Sequence, residues 1–162
     1  MGKSRAYLGG GVNYLCLPLD PEPPNSTQET NRNYYHTSIY GVEYETGKYF
    51  AHVKDHNPPC AVCEVQGRSA VLMIPAKQTC PVGWTKEYDG QLASERSFEE
   101  SSRGSYNMFA EFVCVSKGME SRMAGNIDQV AGSLYVVKVV CGSLPCRPYA
   151  QGNEMSCVVC TK

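Results

Sequence analysis

A chain of 162 residues, 42% of them hydrophobic, can bury a core as one compact domain or as two small fused ones, and this is not the composition of a disordered segment. Divided at residue 79, the first part carries seven Lys/Arg against seven Asp/Glu and the second eight against nine. Neither part is a basic surface, so no nucleic acid and no anionic membrane is expected as a partner. Nine cysteines spread along the chain are the usage of an oxidising compartment, and the protein is expected to be secreted and extracellular. No run approaches the roughly 18 apolar residues that span a bilayer, so no membrane insertion is expected. Met1 to Val12 holds no apolar run of signal-peptide length, from which either a signal already removed or a start inside a longer domain is expected.

Long stretches of helical periodicity are absent, and short β-branched and aromatic runs separated by Gly, Pro and Asn predict an all-β fold. The first predicted strand, Val12 to Leu17, follows Gly9-Gly10-Gly11. With no helix after it, that glycine run suits a strand entry better than a phosphate cradle. The sequon Asn25-Ser26-Thr27 permits glycosylation. Ser38 to Glu45 is the next predicted strand, and around it lie His36, His52 and His56, the histidines available to activate a cysteine nucleophile, of which His52 and His56 read as loop or surface residues instead. Ser69 to Ile74 follows, then Trp84, whose place beside Cys80 predicts a core role over sugar stacking. Phe109 to Val115, Ser133 to Val140 and Ser156 to Cys160 complete the set. No GxSxG, HExxH, phosphate-loop or paired-carboxylate signature occurs, so no enzyme is expected.

An internal repeat is visible. Tyr14-Leu15-Cys16-Leu17, with Glu22 beyond it, parallels Phe112-Val113-Cys114-Val115 with Glu120. Ser38-Ile39-Tyr40-Gly41-Val42 parallels Ser133-Leu134-Tyr135-Val136-Val137, and Cys60-Ala61-Val62-Cys63 parallels Cys157-Val158-Val159-Cys160. From single cysteine to CxxC the separation is 44 residues in one copy and 43 in the other. The expectation is two pseudo-twofold-related β repeats, 1–66 and 67–162, with Tyr40 and Tyr135 equivalent. The Cys141/Cys146 pair has no counterpart in the first copy, and a counterpart of Cys80 falls upstream of Met1, so the odd cysteine and the missing signal are expected to share one cause, a start inside the first copy.

Gly9 to Pro18, Pro59-Cys60-Ala61-Val62-Cys63, Cys80-Pro81-Val82-Gly83-Trp84, Cys141 to Cys146 and Cys157 to Lys162 together resemble the carboxy-terminal domain of spongin-type short-chain collagens over nearly the whole chain. More distantly, they resemble the duplicated non-collagenous domain of type IV collagen. The likeness implies a β fold that assembles by self-association. It also implies four disulfides: Cys80 with Cys160, Cys114 with Cys157, Cys141 with Cys146 and Cys16 with Cys60, leaving Cys63 without a partner. Separate partners within each CxxC agree with strand geometry, since positions i and i+3 face opposite sides. Two departures stand out: there is no Gly-X-Y tract to form a triple helix, and the family's first strand with its CP motif is missing.

Two CxxC motifs could in principle make a zinc site, but the 93 residues between Cys63 and Cys157 far exceed a ribbon's spacing, and the other five cysteines fit disulfides. A redox CxxC would need a following helix to depress the thiol pKa, and none follows. Calcium needs several oxygen ligands gathered on loops. Gly118 to Gly132 offers Glu120, Asn126, Asp128 and Gln129, and Glu95 to Arg103 offers Glu95, Glu99, Glu100 and Arg103. Glu120, Asn126 and Asp128 are the expected calcium ligands, and Gln129, Glu95, Glu99, Glu100 and Arg103 the expected sugar contacts. The chain is similar in size and class to the small disulfide-rich galactose-binding lectins of sea anemones. The expectation is therefore a calcium-dependent lectin that binds terminal sugars of glycoconjugates, galactose among them, as a homodimer. The rival expectation is an extracellular-matrix assembly module.

Overall fold

The computed structural model describes residues 12–22, 39–45, 47–95, 111–122 and 132–162. These residues form six strands and no helix: β1 Val42–Tyr44, β2 Val71–Pro75, β3 Thr85–Ser94, β4 Val113–Ser116, β5 Gly132–Val136 and β6 Ser156–Thr161. The fold is all-β, as its short β-branched runs require. The strands join in one mixed sheet of order β1-β5-β3-β6-β2, with β4 paired to β3. Gly90 and Gln91 have partners in both β4 and β6, and Ala93 has partners in both β4 and β5. Thus β4 runs along one edge of β3, while β6 and then β5 follow along the other. β1 joins β5 in parallel, so the sheet takes in strands from both ends of the chain.

The central strand, β3, is one that the sequence does not suggest. Lys86, Glu87, Asp89 and Gly90 read as turn chemistry, yet β6 pairs with the strand from Thr85 to Gln91 and β4 with its other edge from Gly90 to Ala93. Its register against β6 shifts between Lys86 and Tyr88, a bulge that absorbs one residue. At Gly90 the approach of β4 leaves no room for a side chain: an added Cβ would lie 1.7 Å from the Val115 carbonyl oxygen. Conversely, Val12 to Leu17 is not a strand despite its apolar run. Its Val12 carbonyl accepts from the Glu111 N–H at 2.9 Å, and no ladder continues beyond that contact among the described residues.

The core gathers where β1, β5 and the end of β3 meet. Val42 and Tyr44 pack with Phe50, Val53, Ala93 and Leu134, and Tyr14, Tyr49, Val113, Val115, Met119 and Val136 close over them. Phe50 is fully buried, with the Tyr44 and Tyr49 rings at 5.2 and 5.4 Å between centroids. It is held there by a turn-rich segment that returns to β1: Tyr44 N–H donates to the His56 carbonyl and Asp55 N–H to the Tyr44 carbonyl. Trp84, expected in the core, is only half-buried and lies outside it.

There are four disulfides: Cys80–Cys160 ties the segment before β3 to β6, Cys114–Cys157 joins β4 to β6, and Cys16–Cys60 and Cys141–Cys146 each link residues outside the strands; they are the same pairs that the collagen-domain likeness implies. On β6, Cys157 reaches β4 while Cys160 reaches the loop before β3, as side chains three apart on a strand must diverge. Cys63 is free and exposed. Four disulfides suit an extracellular protein. No helix among the described residues is long and apolar enough to cross a membrane.

Candidate functional site

Strand β1 alternates Val42, Glu43, Tyr44, Glu45, and its two apolar side chains enter the core. Alternation turns the two glutamates to the other face. That face is also buried: Glu43 is 3% exposed, Glu45 8% and the opposing Ser133 1%. The Ser133 hydroxyl donates to Glu45 Oε1 at 3.1 Å, and the Ser133 backbone N–H donates to Glu95 Oε2 at 2.7 Å. Buried carboxylates persist when hydrogen-bonded, and Ser133 serves two of the acids here, Glu45 through its hydroxyl and Glu95 through its backbone N–H. Beside them the buried Ser94 hydroxyl donates to the Glu111 carbonyl at 3.2 Å.

This cluster marks one end of the sheet. Ala93 and Ser94, the last residues of β3, pair in antiparallel register with Val136 and Tyr135, so the chain leaving β3 at Glu95 runs back along β5 towards its start at Gly132. β1 begins at the same end, with Val42 opposite Gly132 and the Gly132 N–H donating to the Gly41 carbonyl. Glu111 returns there through Ser94 and Val12. The described chain therefore leaves at Glu95 and re-enters at Gly132 within one hydrogen-bonded cluster. Tyr14 shares these surroundings: burial first, then the charges of Glu95 and Glu111, raise its pKa above the ordinary tyrosine value.

Of the sequence-predicted site residues, Glu95 and Glu120 are described. Glu99, Glu100 and Arg103, in 96–110, and Asn126, Asp128 and Gln129, in 123–131, lie outside the described residues. Glu95 joins β3 to β5 rather than ending a free loop. Glu120 has an exposed side chain, and its carbonyl accepts from the Tyr44 hydroxyl at 3.2 Å. It is thereby held on the core side of β1, opposite the face of Glu43 and Glu45, and the described contacts do not join it to Glu95. Arg122 beyond it pairs with Asn57, fixing the segment against the loop that follows Phe50. Among the described residues no group of three or more His, Cys, Asp or Glu is disposed to hold a metal ion.

Sequence reasoning missed Glu43, Glu45 and Ser133. The alternation of Val42 to Glu45 signals a strand with one apolar face, but a strict apolar–acidic alternation ordinarily means that the acids face water. Here that face is buried too, which no local pattern announces. No family model matches the chain, and no solved structure matches it.

Proposed function

We propose that the protein is a secreted, non-enzymatic carbohydrate-binding protein, a calcium-dependent lectin whose ligand residues come from the two loops that adjoin the Glu95–Ser133 cluster. In this reading Glu120, Asn126 and Asp128 hold calcium, and Gln129, Glu95, Glu99, Glu100 and Arg103 contact the sugar. Calcium prefers several oxygen ligands and accepts vicinal hydroxyls in place of water, which suits galactose and related terminal sugars. The supporting observation is the Glu95–Ser133 hydrogen bond of 2.7 Å, because it ties the base of 96–110 to the strand that follows 123–131. A sheet joined by disulfides is a rigid support for recognition by the segments that leave it. Red-cell agglutination blocked by both chelator and free galactose would support the reading, and agglutination indifferent to both would oppose it.

A matrix assembly module is the second reading, and the disulfide pairs favour it, since they are those of the collagen terminal domain that the sequence resembles. Such a module would self-associate without sugar or calcium. With either function we propose that 1–66 and 67–162 are pseudo-twofold-related subdomains. The support is that Cys16–Cys60 and Cys114–Cys157 close loops of nearly equal span, 44 and 43 residues. Superposing the two halves of a crystal structure, with Tyr40 falling on Tyr135, is the test.

A further inference from the structure

Among the described residues strand β2 ends the sheet, and the edge it turns away from β6 has a defined hydrogen-bonding face. Ala70 exchanges both backbone bonds with Lys162, and Ala76 N–H donates to the Ser156 carbonyl. By the two-residue period of an antiparallel ladder, Leu72 and Ile74 also turn their backbone groups to β6, while Val71, Met73 and Pro75 turn theirs outward. The edge thus offers an N–H and a carbonyl at Val71, the same at Met73, and only a carbonyl at Pro75. Its side chains are all apolar, Val71 is 73% exposed and Leu72 39%, and the strand carries no charge. The nearest cation on its N-terminal side, Arg68, is already paired with Glu87 at 3.3 Å.

We propose that this edge is a dimer interface in which β2 pairs antiparallel with β2 of a second copy, about a twofold axis at Leu72. In that register Val71 and Met73 exchange both hydrogen bonds with Met73 and Val71 of the copy, so every outward donor finds an acceptor. Leu72 meets Leu72, Val71 meets Met73 and Ile74 meets Ala70, all apolar cross-strand pairs. Pro75 fixes the register. Moving the axis to Met73 or beyond sets Pro75 against a carbonyl that it has no N–H to satisfy, whereas at Leu72 it lies past the paired stretch. An uncharged strand whose donors, acceptors and side chains complement themselves fits a copy of itself, which meets no like charge within the paired stretch. The interface would supply the homodimer expected from the sequence for a lectin but rests on the β2 edge itself.

The test uses the full chain carrying Cys63→Ser, which removes the free thiol. Sedimentation equilibrium should give a concentration-dependent species of twice 17.8 kDa. Leu72→Cys should form an intermolecular disulfide spontaneously, because facing non-hydrogen-bonded residues are about 4.5 Å apart at Cα. Ile74→Cys, displaced from its own copy in this register, should not. Leu72→Lys, on an exposed position, should shift the chain to monomer with its melting temperature little changed. A chain that stays monomeric at high concentration, or a dimer that cross-links through Ile74→Cys and not Leu72→Cys, overturns the proposal. Sugar binding by a monomer would overturn this interface and leave the lectin reading standing. A Leu72-linked dimer with no sugar response would support the interface while that reading fell.

Discussion

Replacing Gly90 by alanine would put a methyl carbon 1.7 Å from the Val115 carbonyl oxygen and 2.6 Å from its carbonyl carbon. Both are backbone atoms, so no side chain can swing aside. β4 must retreat from β3 by more than an ångström, against a ladder that runs from Gly90–Ser116 to Ala93–Val113 and against the Cys114–Cys157 disulfide. Overpacking of this kind costs about 1–3 kcal/mol and sometimes more. With an unyielding backbone contact we place Gly90→Ala at about 3 kcal/mol or above, and at roughly 2–4 °C per kcal/mol for a chain of this size the melting temperature should fall by about 6–12 °C. The control is Gly118→Ala, whose added Cβ would meet only the Ser116 hydroxyl at 3.8 Å, an ordinary contact. Lost unfolded-state freedom should make that variant neutral or slightly more stable. Urea and thermal unfolding with disulfides intact provide the assay. Equal stability of the two variants would refute the packing of β3 against β4.

Removing the Cys80–Cys160 bridge by paired serine substitution should cost about 2–5 kcal/mol in the same unfolding assay, because it closes a long loop onto β6. Tyr44 is pushed up to about 12 by burial, with Tyr49 adding to it. A raised tyrosine contributes stability that is whole below its ordinary value of 10.0 and is lost as pH rises through about 12. Tyr44→Phe should therefore flatten the alkaline limb of the stability profile, while losing the hydroxyl bond to the Glu120 carbonyl. Asp89 has the opposite sign: hydrogen bonds from Lys117 and Lys86 hold its carboxyl below the ordinary range, so this contribution fades as pH falls through that lowered value. Asp89→Asn should remove it from the acid limb. Asp128→Ala should abolish the sugar response while its calcium-free melting temperature matches that of the calcium-free parent, and normal sugar binding would direct attention to Glu95, Glu99 and Glu100 instead.

Strands β2, β5 and β6 are legible in the sequence because Val71 to Ile74, Ser133 to Val136 and Ser156 to Cys160 are runs whose residue types suit a pleated surface. β3 is hidden for the converse reason: its polar residues become a strand by pairing with β6, and Gly90 and Gln91 by lying between β6 and β4. Val12 to Leu17 has a strand's composition, but among the described residues it belongs to no strand. The cysteine pairs follow from the family likeness, and the divergence of Cys157 and Cys160 is a consequence of strand geometry. At the candidate site, Glu95 stands out as a polar residue ending a loop-rich stretch. Its role as a clamp on Ser133 depends on β5 lying beside β3, a pairing of residues 38 positions apart in the chain. Glu43 and Glu45 were equally hidden, since nothing local tells an acidic strand face that it will be covered.

The most direct measurement of the proposed function is isothermal titration of galactose and a small panel of other monosaccharides into the oxidised protein, first with calcium and then with EDTA. The account predicts saturable heat for at least one sugar in calcium, and its loss on chelation with the fold intact by circular dichroism. No saturable heat for any sugar from a folded, calcium-equilibrated chain would contradict it.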